Sequence, residues 1–301
     1  MTSITRRQTL RSSGLQPAII LKNICIDRSG SMSSFGGKQY EMTEKLLLDT
    51  WKQTRETNVQ TKVTLKAFDN NVNIMLCDVN PIIHDTPSLQ IIREALYPRG
   101  MTRLNDTILE SLDELKKGKE EYFNSLSNEA RNLNPKIVQL LVVVTDGMDN
   151  ESDSSKEDVK EKILEFRNQG GEALLMAANM DAQIIGAEYG FNDDQCLTVH
   201  NSDQTAIESG FRSLNTAIRT LSAGTPTLGF TQVQRELSLN ITPSMVVPIP
   251  SLTTPPTLTR QVARPLSPTS VIGFTPPTSP RLTFAPTYQT GYADLIHSQR
   301  Y

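Results

Sequence analysis

The apolar positions of this chain switch between two spacings. Ala18–Asp27 (AIILKNICID) is an almost continuous apolar, β-rich run that stops on a carboxylate, as a strand covered on both faces would. Tyr40–Glu56 then repeats its apolar residues at helical spacing. Val59–Phe68 alternates, Asp69, Asn70 and Asn71 offer a turn, and Val72–Val79 follows, which reads as a hairpin. Leu104–Lys117 is again helical, and a further helix is expected through Glu120–Leu133. Ile137–Asp146 (IVQLLVVVTD) is the most strongly apolar strand of the set. Lys156–Gly171 predicts a helix stopped by its glycines, Glu172–Asn179 a strand, Cys196–His200 a short edge strand, and Gln204–Ser222 a closing helix. This alternation predicts an α/β fold. It would be an open, doubly wound, mostly parallel sheet with helices on both faces and one antiparallel edge hairpin.

The pattern ends near Gly224. Of the 17 prolines, 12 lie between Pro226 and Pro286, and no lysine follows Lys162. Proline removes a backbone donor and breaks helices and inner strands. Residues 224–301 therefore read as a Pro/Thr/Ser-rich extended tail, disordered or ordered against a partner, residues 15–223 as one folded domain, and residues 1–14 as a flexible arm. Apolar clusters punctuate the tail, with Phe274 and Phe284 after similar Pro-Thr-Ser stretches, as a docking arm across a neighbouring subunit would need.

Charge narrows the partners. Past Gly224 stand five arginines and two acidic residues, so the acidic excess belongs to the folded part, and the net charge of -3 offers no basic field for nucleic acid. No run of about 18 apolar residues exists to span a membrane, and the first residues lack the apolar core of a signal peptide. Cys25, Cys77 and Cys196 are odd in number and too widely spaced for a zinc motif, which fits a reducing, intracellular setting, the cytoplasm or a virion.

Ligands of such sheets bind beyond the carboxyl ends of the strands. Three segments with one chemical theme fall there: Asp27-Arg28-Ser29-Gly30-Ser31 after the first strand, Thr145-Asp146-Gly147 after the long apolar strand, and Thr102 in PRGMTRLND at a helix entry. They supply two carboxylates, two serine hydroxyls and a threonine hydroxyl. These are hard oxygen donors, suited to Mg²⁺ or Mn²⁺ completed by water and ill suited to zinc.

With these residues the chain resembles a von Willebrand factor type A domain over roughly residues 18–222. The resemblance is to the compact, stand-alone intracellular members of bacteria and viruses, and VVVTDGMDN and MAANMDAQIIGAEYGF share in it. The family's metal-ion-dependent adhesion site has the pattern Asp-x-Ser-x-Ser, Thr, Asp, matched here by Asp27, Ser29, Ser31, Thr102 and Asp146. The one departure is Met101, where many members have glycine. The resemblance implies that Ser29 and Ser31 bind the ion directly, and that Thr102, Asp27 and Asp146 bind directly or through water. One position would stay open for an Asp or Glu carboxylate of a partner protein. It implies a binding module and not an enzyme.

Other readings fail on particular residues. A phosphate-binding loop ending at Lys38 needs Gly and Ser or Thr where Met32 and Gln39 stand. None of His84, His200 and His297 sits in a hydrolase motif. A phosphatase built on Asp27 would want a second Asp at the position of Ser29. Arg28 and Arg103 flank the pattern and are expected to face solvent. Asp149, Glu151 and Asp153 are expected in a solvated acidic loop. A structural assembly subunit, of a virion for instance, whose tail staples neighbours, is the second reading of the whole chain, and a Mg²⁺-dependent enzyme is the third and weakest.

Overall fold

A computed structural model describes residues 17–225 and 229–241. Its strands are β1 (Ile19–Asp27), β2 (Gln60–Phe68), β3 (Val72–Val79), β4 (Ile137–Thr145), β5 (Glu172–Ala178) and β6 (Cys196–Val199). They form one six-stranded sheet in the order β3-β2-β1-β4-β5-β6, parallel except for β2 with β3. The helices are α1 (Lys38–Thr57), α2 (Leu89–Ala95), α3 (Leu104–Ser125), α4 (Asn128–Asn132), α5 (Lys156–Asn168), α6 (Ala182–Tyr189), α7 (Gln204–Ser222) and α8 (Gln232–Ser238).

Alternation along the strands sorts the core into two layers. Leu140, Val142 and Val144 of β4 pack with Leu47 and Trp51 of α1 and Phe211, Leu214 and Ile218 of α7. Leu141 and Val143 pack on the other face with Ile108, Leu112 and Leu115 of α3 and Val159 and Ile163 of α5. Cover on both sides explains why every residue of β1 is buried. β3 has an outer edge and is only half-buried.

The strand order reverses between β1 and β4, the two central neighbours. Connections leave these strands toward opposite edges, and sheets of this kind bind ligands at such a place, beyond the carboxyl ends of the strands. Asp27 closes β1 there, and Asp146 follows the last residue of β4.

Several elements differ from expectation. α3 runs on through Ser125 and breaks before α4, a short helix capped by Ser127, where a helix over Leu104–Lys117 and a further one over Glu120–Leu133 were expected. α2 and α6 were not foreseen, being seven and eight residues long, too short for a periodic pattern to stand out. The boundary at 223 also moves. Phe230 is buried in the core and α8 packs beyond it, so residues 229–241 join the folded body although 224–301 were read as tail. The arm at 1–14 and the tail past 241 lie outside the described residues.

Candidate metal centre

The turn after β1 is shaped by Asp27 itself. Its Oδ1 accepts from the Ser29 backbone N–H at 2.6 Å, and its Oδ2 accepts from the Thr145 hydroxyl at 2.7 Å. The first bond bends the chain into a 3₁₀ turn over Gly30–Phe35, and the second ties the ends of β1 and β4 together. The bend brings Ser29 Oγ and Ser31 Oγ to 2.9 Å. Ser31 Oγ donates in turn to Asp146 Oδ1 at 2.7 Å. Thr102 reaches the same place beside Gly147, where a β-carbon would stand 3.3 Å from Thr102 Oγ1 and 3.8 Å from Ser31 Oγ. The structure therefore brings all five predicted residues to one sheet end. Asp27, Ser29 and Thr102 are buried at its floor, and Ser31 is exposed at its mouth.

Burial pushes the Asp27 carboxyl up to about 6, against the hydrogen bonds from Thr145 and Ser29. Burial also raises Asp146, opposed by Ser31 and Ser34. Among the described residues neither carboxylate is in an ion pair with Lys or Arg; their partners are the Ser29 N–H and the hydroxyls of Thr145, Ser31 and Ser34. Among those residues no three His, Cys, Asp or Glu side chains cluster as metal ligands, so an ion here would rest on hydroxyls as well as carboxylates.

The donors fit a small divalent cation. Magnesium–oxygen bonds of about 2.0–2.1 Å in an octahedron place adjacent ligand oxygens about 2.9 Å apart. The observed separations of 2.9 Å between the serines and 2.7 Å from Ser31 to Asp146 approach that spacing.

Groups outside the five-residue pattern hold the site in shape. Asn150 clasps Thr102 at two points: its Oδ1 accepts from Thr102 N–H at 2.7 Å, and its own N–H donates to the Thr102 carbonyl at 3.0 Å. Asp149 accepts from Asn105 N–H at 3.0 Å, and Asp106 accepts from the N–H groups of Asp153 and Ser154 at 3.0 and 3.1 Å. The acidic loop is thus a clasp on the start of α3 in addition to its solvated face. Its Asn and Ser residues, interleaved with acids, were the available signal.

Arg28 corrects another expectation. It is 2 % exposed, its Nε lies 3.0 Å from Asp69 Oδ2, and it donates to the Ala95 carbonyl at 2.9 Å. Arg103 is partly exposed and pairs with Asp106 at 2.8 Å. Asp69 is a hub. Burial works to raise its carboxyl, but the Asn71 N–H and the guanidiniums of Arg99 and Arg28 outweigh that and hold it below the usual range.

A family model for the von Willebrand factor type A domain matches residues 23–209. No curated protein matches the chain in sequence. Among solved structures the chain is similar to a von Willebrand factor type A protein from Catenulispora acidiphila, at 13% identity and TM-score 0.44, over 68% of this chain and 43% of that one. It is similar to the PilB minor pilin from Streptococcus sanguinis at 14% identity and TM-score 0.45, over 69% and 63%. It is also similar to proximal thread matrix protein 1 of the mussel byssus, with a zinc-occupied MIDAS motif, at 13% identity and TM-score 0.41, over 69% and 46%. The chain spans less than two thirds of each of these three proteins.

Proposed function

We propose that this chain, which belongs to the von Willebrand factor type A domain family, is a non-enzymatic binding module that captures an Asp or Glu carboxylate of a partner protein through Mg²⁺ or Mn²⁺. One observation carries this reading: the buried carboxylate of Asp27 and the partly exposed carboxylate of Asp146 share a cluster of neutral hydroxyls, and neither is in an ion pair with Lys or Arg among the described residues. Uncompensated buried charge is costly, and a divalent cation offsets both groups at once.

In this reading Ser29 and Ser31 hold the ion directly, and Thr102 holds it directly or through water. Asp27 orients Ser29 through the backbone N–H it accepts, and Asp146 orients Ser31 through its hydroxyl. The bound ion supplies an electrophilic centre for an external anionic oxygen. Neutral hydroxyls leave more of its charge unspent than carboxylates would.

The test is recovery of a partner on the immobilised full-length chain. Recovery is expected in Mg²⁺ and is lost in EDTA and with Asp27→Ala. Recovery that survives both contradicts the reading. The same experiment on a chain truncated after residue 241 tests whether the segment beyond it serves as a docking arm.

A further inference from the structure

The outer edge of β6 and the mouth of the metal site are joined by hydrogen bonds. α8 lies along β6. Arg235 donates to the Cys196 carbonyl at 2.6 Å, Ser238 Oγ donates to the Thr198 carbonyl at 2.7 Å, and the His200 N–H donates to the Ser238 carbonyl at 3.0 Å. Asn240 bonds to Asp203, whose side chain caps α7. Between His200 and Asp203 stands Asn201, 5% exposed, which donates its amide to Ser34 Oγ at 2.5 Å. Ser34 Oγ in turn donates to Asp146 Oδ2 at 3.4 Å.

Asp146 is therefore held from two sides, with Ser31 on Oδ1 and Ser34 on Oδ2. The short Ser31 bond holds Oδ1, and the longer Ser34 contact limits how far Oδ2 can turn about it. The amide of Asn201 fixes the Ser34 oxygen and leaves its hydroxyl proton for Asp146, so each bond polarises the next.

We propose that Ser34 and Asn201 are positioning residues of the metal site, and that α8, by fixing His200 and Asp203, sets where Asn201 stands. This rests on the metal-site reading above. Neither residue belongs to the Asp27, Ser29, Ser31, Thr102, Asp146 set. α8 lies outside the span matched by the family model, residues 23–209, so this part of the support comes from outside that span.

The experiment is calorimetric titration of Mn²⁺ into the full-length chain. The proteins are wild type, Asp27→Ala, Ser34→Ala, Asn201→Ala, the Ser34→Ala/Asn201→Ala double variant and Arg235→Ala. Ser34→Ala and Asn201→Ala are each expected to weaken Mn²⁺ about tenfold, as loss of an outer-shell partner does. The double variant is expected to be no weaker than the worse single one, because both act through one path. Arg235→Ala is expected to weaken the ion several-fold. A purely structural role would lower the thermal midpoint in EDTA and leave the Mn²⁺ affinity unchanged. Ser34 is exposed, so its variant keeps the test open if Asn201→Ala folds poorly. Wild-type Mn²⁺ affinity in both single variants, or effects that add in the double variant, overturns the proposal while binding lost only in Asp27→Ala leaves the site standing. No Mn²⁺ binding by wild type overturns the site and this proposal together.

Discussion

Gly100 has φ +70°, and a β-carbon there would stand 2.2 Å from Asn70 Oδ1, the same oxygen that accepts from the Met101 N–H at 3.0 Å. Backbone and neighbour both demand glycine. Gly100→Ala is expected to cost more than about 1 kcal/mol in denaturant unfolding and to weaken metal binding by displacing Thr102. Unchanged stability would contradict this need for glycine at position 100. Asp69 makes a second residue-scale prediction. Its folded carboxyl lies below its unfolded value, so its stabilisation is complete above about pH 4 and is lost as pH falls through the lower folded value. Asp69→Asn is expected to lower stability at neutral pH and to flatten the acid limb of the stability profile. An unchanged acid limb contradicts that role. The candidate-site residues stand out in the sequence because Asp27 ends an apolar run and Ser29 and Ser31 follow at alternate positions. Arg28, between them, was not legible. Its burial depends on Asp69 and Ala95, distant in sequence and brought to it by the fold.

The long elements were legible because their patterns repeat: β1 and β4 as apolar runs, α1 and α7 as helical stripes. α8 was not, since seven residues in a Pro-rich neighbourhood carry almost no period. Its signal was local: Thr231 and Gln234 form a capping box, with the Gln234 side chain accepting from the Thr231 N–H at 2.8 Å. The helix has a clear task. β6 is the last strand of the sheet, and Arg235 and Ser238 occupy carbonyls along its open edge. Ending the chain at residue 223 is expected to lower the thermal midpoint by several degrees and to promote self-association through the bared edge, by light scattering. Ending it at residue 241 is expected to do neither. Equal behaviour of the two truncations would contradict the edge-cover role of α8.

At the scale of the molecule, the sheet brings three loops from distant parts of the chain to one end, and the two carboxylates gathered there, Asp27 and Asp146, meet N–H and hydroxyl donors but no ion pair among the described residues. A cation that binds only the folded state stabilises it by mass action, by about 2.7 kcal/mol at a hundred times its dissociation constant. Mg²⁺ is therefore expected to raise the thermal midpoint of the wild type and to leave Asp27→Ala unmoved. An equal rise in both would place the binding elsewhere. The fold class could be read from the alternation of strand and helix. The convergence of Thr102 with Asp146 could be read only at the level of the fold, from their places beyond strand ends, because nothing in their spacing along the chain brings them together. The most direct measurement is anomalous diffraction at the manganese edge from crystals soaked in Mn²⁺. The account predicts one peak within coordinating distance of Ser29 Oγ and Ser31 Oγ, beside Asp146 and Thr102. A soaked crystal with no peak there, or with its peak elsewhere, would contradict it.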